Sequence, residues 1–210
     1  MRFIRTLFVI AAVSACMSKG TSSDTATPAT PPAAAGPTRA GAPSVDTESA
    51  VASEVNPPGD IPDTQAFVKY ASTGGGYSLD VPEGWARTET GPNVKFVDKL
   101  DGVAVDVATG ATAPTAASAR SAQVKQIEAS GRAVKITEVA DVTLPSGKAV
   151  MIKYTSNSEP SAVTQKQVRL ENEAYLYFSN GKLATLTLWA PQGADNVDQW
   201  NRMSKSLRWQ

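Results

Sequence analysis

The chain contains no histidine and one cysteine in 210 residues. Without histidine there is no Ser-His-Asp triad, no Cys-His pair and no His-ligated zinc site, and the commonest general base near neutral pH is missing. A lone cysteine closes no disulfide within the chain, so stability must come from burial. Excess charge of one sign is absent too: twenty Lys and Arg balance twenty Asp and Glu. No polyanionic partner such as nucleic acid is therefore expected. Aromatic side chains are missing from residues 17–65. The opening apolar run, 7–13, is far shorter than the roughly 20 residues that cross about 30 Å of hydrocarbon, so a permanent transmembrane helix is not expected.

What is present begins with the place of that cysteine. Met1-Arg2-Phe3-Ile4-Arg5 carries two cations, residues 7–13 are unbroken apolar, and Val13-Ser14-Ala15-Cys16 follows just before the sequence turns polar. Charged-then-apolar order with small residues behind it is the form of an export signal. Val13-Ser14-Ala15-Cys16 resembles the lipobox of bacterial lipoproteins, in which the thiol is acylated and the peptide is cut before the cysteine. The resemblance implies a signal peptide over 1–15, a mature chain starting at a lipid-bearing Cys16, and the membrane as a partner through that lipid. One acyl chain gives marginal membrane residence and more than one gives stable attachment. The implied location is the bacterial cell envelope, facing the periplasm or exterior. Met17 in place of an aspartate resembles the outer-membrane sorting pattern of Gram-negative lipoproteins. A plain secretory signal, with Ser14-Ala15 as an ordinary cleavage site, is the rival reading.

Residues 16–66 are read as a lipid-anchored disordered linker rich in Ala, Thr and Pro, as in Thr27-Pro28-Ala29-Thr30-Pro31-Pro32. Such a composition buries too little apolar surface to offset ordering entropy of about 1–2 kcal/mol per residue. It predicts a loose spacer reaching on the order of 40 Å or more. The acidic-leaning stretch 46–54 is taken as a solvated part of it.

The folded domain is predicted over 67–210. Tyr77, Leu79 and Val81 alternate, as do Val103, Val105 and Val107, and later Val150, Ile152 and Tyr154; period two marks strands. Runs 168–179 and 182–190 flank Asn180-Gly181, the strongest short signal for a tight hairpin. Ser146-Gly147 predicts a second hairpin. Residues 115–129 suggest a helix with Ala117, Val124 and Ile127 on one face and Gly131 as terminator. Asp195 is placed as the cap of a closing helix carrying Val197, Trp200, Met203 and Leu207. This order predicts an α+β fold, an antiparallel sheet flanked by helices. Leu176 and Phe178 alternate with Tyr175 and Tyr177, which predicts a sheet covered on both faces.

Gly76-Tyr77-Ser78-Leu79-Asp80-Val81-Pro82-Glu83-Gly84-Trp85 resembles the opening hairpin of the PsbP/Mog1-like families. The closing Met203-Ser204-Lys205-Ser206-Leu207 is similar to the end of their final helix. The resemblance implies an α/β/α sandwich and a domain that binds and positions other proteins, with no active-site residue to carry over. A helix-grip or lipocalin-like domain with a ligand cavity is the alternative fold.

Ser179-Asn180-Gly181-Lys182 spells the Ser-x-x-Lys of penicillin-recognising enzymes, but that mechanism needs a helix and these residues predict a hairpin tip. Gly74-Gly75-Gly76 lacks a Walker lysine and is read as a hinge between linker and domain. Asp98-Lys99-Leu100-Asp101-Gly102 has too few oxygen ligands for calcium and is read as a tight turn. No motif calls for a cofactor. Trp85, Tyr175, Tyr177 and Trp189 remain as a possible binding surface, since Tyr and Trp dominate binding hot spots. The leading function is a lipid-anchored, non-catalytic binding or assembly protein with a protein partner in the envelope. Its alternatives are a carrier with an apolar cavity lined by Trp85, Tyr154 and Trp189, and a histidine-independent hydrolase using Ser179 or the pair Asp98 and Asp101.

Overall fold

Alternating apolar residues make strands that must bury one face, and in the computed structural model, which describes residues 48–110 and 112–210, they do so in two sheets. In chain order the elements are β1 (Phe67–Ser72), β2 (Tyr77–Pro82), β3 (Ala86–Thr90), β4 (Asn93–Asp98), β5 (Asp101–Thr109), α1 (Ala116–Ser121), α2 (Gln123–Ser130), β6 (Arg132–Leu144), β7 (Gly147–Asn157), β8 (Arg169–Ser179), β9 (Lys182–Pro191), α3 (Val197–Ser206) and β10 (Arg208–Trp209). The large sheet has seven strands in the order β3-β4-β5-β9-β8-β7-β6, and the small one has three in the order β1-β2-β10. Every neighbouring pair is antiparallel. This is the expected antiparallel sheet flanked by helices.

The register places Phe96 beside Val103, Val103 beside Leu188, and Val105 beside Leu186. Their side chains meet Tyr77, Leu79 and Val81 of the small sheet and Trp200, Met203 and Leu207 from the α3 region in the main core. Full burial of such a side chain is worth about 1.5–3 kcal/mol. The opposite face of the large sheet carries Val150, Ile152, Ala174 and Leu176, which pack with Ala119 and Val124 in a second cluster. Asn180 and Gly181 have φ of 48° and 74°, the two positive values a two-residue hairpin turn demands. The Ser146-Gly147 hairpin forms as well, between β6 and β7.

Several expectations are corrected. The helix expected over 115–129 is two short helices, broken at Ala122, whose φ and ψ are −118° and −75°. Its buried residues are Ala119 and Val124, while Ala117 faces solvent. Thr115 caps α1 through its hydroxyl, which accepts from the Ser118 N–H. Asp195 does not cap α3; Asn196 holds that position without a side-chain cap bond. The Asn196 side chain is instead bonded to the backbone of Gly59 and Ile61. Gly74-Gly75-Gly76 is the β1–β2 turn, with the Gly76 N–H donating to the Ser72 carbonyl, and not a hinge before the domain. Cover on both faces holds for β6–β9 but not for β3–β5: Thr88, Lys95 and Asp106, on the α1/α2 side of those strands, are exposed.

The linker expectation changes most. Residues from 48 onward belong to the same compact unit as the sheets, and they lie along it as a strap. Glu48 pairs with Arg132 at 2.7 Å and accepts hydrogen bonds from Asn157 and Gln167; those two bonds hold its carboxyl below its ordinary range. Further on, the Ile61 N–H donates to Asn196 Oδ1 at 2.6 Å, and Asn196 Nδ2 donates to the Gly59 carbonyl. Ile61 itself is buried. Composition averaged over the whole tract hides these anchors, because each is a single residue whose partner is far away in sequence.

Candidate functional site

On the inner face of the large sheet the register sets Met151 beside Tyr175, Lys153 beside Glu173 and Thr155 beside Glu171. The α3 helix follows β8 on that face: the buried Tyr177 hydroxyl donates to the Ser204 carbonyl at 2.7 Å. The N-terminal half of the helix presents Val197, Trp200 and Asn201. Between it and the three strands β6–β8 lies a groove of about 490 Å³, which these residues line together with Thr137, Met151, Lys153, Glu171, Glu173 and Tyr175. Period two on β8 delivers Glu171, Glu173 and Tyr175 to one face, while Asn172 and Ala174 point to the other.

The charges in the groove are unequally satisfied. Lys153 Nζ lies 2.7 Å from Glu173 Oε1, and the Tyr175 hydroxyl donates to Glu173 Oε2 at 2.6 Å. Both oxygens of Glu173 are thus engaged. The bond to Glu173 pushes the Lys153 ammonium up from its ordinary value. Burial, reinforced by that same carboxylate, raises the Tyr175 phenol. A catalytic acid or base works best with a pKa near the operating pH, and both groups move away from neutrality. Glu171 is raised by burial and then by the charge of Glu173, against a Gly193 backbone hydrogen bond and the Lys153 charge, which lower it. It has no cation within ion-pair distance among the described residues. The groove therefore has two carboxylates and one ammonium, together with the apolar surfaces of Met151 and Trp200. Among the described residues no cluster of His, Cys, Asp or Glu is arranged to hold a metal ion.

The candidates taken from the sequence separate in space. Cys16 lies outside the described residues. Tyr175 borders the floor of the groove but is itself buried in the main core, with 6% exposed. Tyr177 is 2% exposed and is a core plug, not a binding surface. Trp85 packs against the main core. Trp189 sits across the sheet with its ring over Gly102, where a Cβ would come within 1.8 Å of Cζ2, and Lys95 Nζ approaches its ring to 5.4 Å. Tyr154 packs with the cluster beneath α1 and α2. Trp85, Tyr154 and Trp189 therefore line no common cavity.

The hydrolase candidates fare no better. Ser179 and Lys182 face each other across the hairpin end, and Lys182 Nζ reaches toward the Gly75 carbonyl. Asp98 and Asp101 flank the β4–β5 turn as expected. Asp101 is buried, and its Oδ1 has no hydrogen-bond partner. Burial first, then the charges of Asp98 and Asp60, push it up to about 7. It is sealed rather than open to a cleft: a Cβ on Gly59 of the strap would lie 2.9 Å from Oδ1. Sequence reasoning missed Lys153, Glu171 and Glu173. The alternation Glu171-x-Glu173-x-Tyr175 on a strand was the available signal.

No protein-family model matches the chain, and no curated protein matches it in sequence. Solved structures do match. The cyanobacterial PsbP (CyanoP) of Synechocystis is similar at 15% identity, over 73% of this chain and 99% of that one, with a TM-score of 0.51. The yeast Ran-binding protein Mog1p aligns at 10% identity over 69% of this chain and 95% of its own, with a TM-score of 0.47. A Bacteroides thetaiotaomicron protein aligns at 11% identity over 68% of this chain and 48% of its own, with a TM-score of 0.44. The likeness to PsbP identifies the fold as PsbP-like.

Proposed function

We propose that this protein is a bacterial envelope lipoprotein, held to the membrane through lipid on Cys16, whose PsbP-like domain binds a protein partner without catalysing a reaction. Val13-Ser14-Ala15-Cys16 behind a cationic and apolar start supports the anchor. The stretch between Cys16 and Glu48 acts as the spacer.

The observation that carries the binding role is the groove beside α3. Lys153 and Glu173 are fixed in a structural pair, and Lys153 and Tyr175 are shifted away from proton transfer near neutral pH, which suits recognition better than turnover. Two experiments test the reading. Cys16→Ser is expected to move the protein from the membrane fraction to the soluble one; firm attachment of the variant refutes the anchor. A photo-reactive residue at Asn201, on the groove, is expected to give one defined adduct in intact cells, abolished by Val197→Arg. Val197 is exposed, so the arginine fills the groove mouth without disturbing the core. An adduct pattern unchanged by Val197→Arg refutes the groove as the binding site.

A further inference from the structure

We propose that the groove between α3 and strands β6–β8 is a seat for a lysine or arginine side chain of the protein partner, with Glu171 as its counter-ion. This deepens the binding role argued above and rests on it. The argument begins with charge. Glu173 is neutralised inside the protein, its two oxygens taken by Lys153 and Tyr175. Glu171, one register pair along the same face, has no cation within ion-pair distance among the described residues, and the groove is left with an excess of one negative charge. Half-burial costs a carboxylate hydration, a cost that the Gly193 backbone hydrogen bond and the Lys153 charge offset only in part, since Glu171 still lies above its ordinary range. An incoming cation removes it.

Shape and lining then restrict which cation fits. Met151, the exposed Val197 and the edge of the largely buried Trp200 give the groove apolar lining, which matches the aliphatic stem of lysine or arginine that precedes its charged head. A bare divalent ion fits poorly, since calcium wants six to eight oxygens and the Lys153 ammonium stands on the same wall. An anionic segment meets the surplus carboxylate and is repelled. A volume of about 490 Å³ exceeds a single side chain and leaves room for the backbone that presents it. Charged hydrogen bonds of this kind are short and about twice as strong as neutral ones, so the counter-ion is the determinant of specificity.

The test uses the full-length protein, labelled with ¹⁵N, and four capped five-residue alanine peptides bearing Lys, Arg, norleucine or Glu at the centre, with putrescine as the free-cation control. The Lys and Arg peptides are expected to shift the Trp200 indole and the Asn201 amide saturably. The norleucine and Glu peptides, and Glu171→Gln with the Lys peptide, are expected to bind at least about fivefold more weakly. Glu171→Gln is isosteric at a half-buried site, and a cooperative thermal transition at or above the native midpoint shows that it folds. Putrescine is expected to bind more weakly than the Lys peptide; tighter binding makes the ligand a free polyamine and overturns the assignment to a protein. Equal binding of norleucine and Lys, an unaltered affinity in Glu171→Gln, or no saturable shift with any peptide also overturns it. Those results leave the Asn201 adduct and its loss in Val197→Arg untouched, whereas failure of the adduct removes the binding role itself.

Discussion

Asp101 gives the sharpest quantitative prediction. The residue is 6% exposed, its Oδ1 lies under Gly59 of the strap, and that oxygen has no hydrogen-bond partner among the described residues. Burial, with Asp98 and Asp60 adding and Lys99 subtracting, moves it from an ordinary 3.8 to about 7. The folded state then binds this proton more tightly than the unfolded chain does. Its contribution to stability is greatest below about pH 4 and falls as the pH rises toward about 7, above which it is constant. At 1.36 kcal/mol for each tenfold change, the full displacement corresponds to about 4 kcal/mol. Lifting of the strap around Gly59 rehydrates the carboxylate and limits the loss to the cost of undocking that segment. Asp101→Asn keeps the shape and removes the charge. The variant is expected to match the native protein within about 1 kcal/mol at pH 5 and to exceed it by about 1–3 kcal/mol at pH 8. Urea unfolding followed by tryptophan emission from pH 5 to 8.5 measures both. Glu171 tilts the native profile in the same direction, so the difference between the two proteins is the decisive quantity. Parallel pH profiles, or a variant less stable than native at pH 8, refute the reasoning.

Gly102→Ala sets a methyl group within 1.8 Å of the Trp189 ring; the ring must leave the strand, at a cost of about 2 kcal/mol or more, and its emission should shift to the red. Asn196→Ala removes the acceptor of the Ile61 N–H and the donor to the Gly59 carbonyl. Stability is expected to fall by about 1–3 kcal/mol, with new protease cleavage between residues 57 and 66 seen by mass spectrometry. Tyr177→Phe leaves the Ser204 carbonyl without its buried donor and is expected to lower stability by about 1–2 kcal/mol in urea unfolding, without altering peptide binding in the groove.

Local pattern was enough for most strands, since a buried face imposes period two on the residues that form it. Val103 and Val105, Val150 and Ile152, and the Asn180-Gly181 turn were all legible because the relevant neighbours lie a few positions apart. The closing helix was legible by Trp200 and Met203, though not by its cap, and Val197, expected on the same stripe, is exposed while Leu207 lies just past the last turn. Asp195 looks like a cap only while Asn196 is thought free, and Asn196 is occupied by strap residues more than a hundred positions earlier. The break at Ala122 has no local marker, since alanine is the best helix former.

The candidate groove was harder to foresee. Tyr175 drew notice as an aromatic residue, but Lys153 and Glu173 became a pair only when β7 and β8 set them side by side. Tyr177, two residues along the same face, is closed off because α3 crosses it; no feature of its own neighbourhood distinguishes it from Tyr175. The sequence by itself determined the alternating strands, their turns, the absence of histidine chemistry and the place of the lone cysteine, all of which depend on identity and near spacing. Tertiary structure alone decided which tyrosine faces a groove, which carboxylate lacks a partner and where the strap is pinned. Those properties depend on what lies within a few ångströms, and for these residues the close neighbours are distant along the chain.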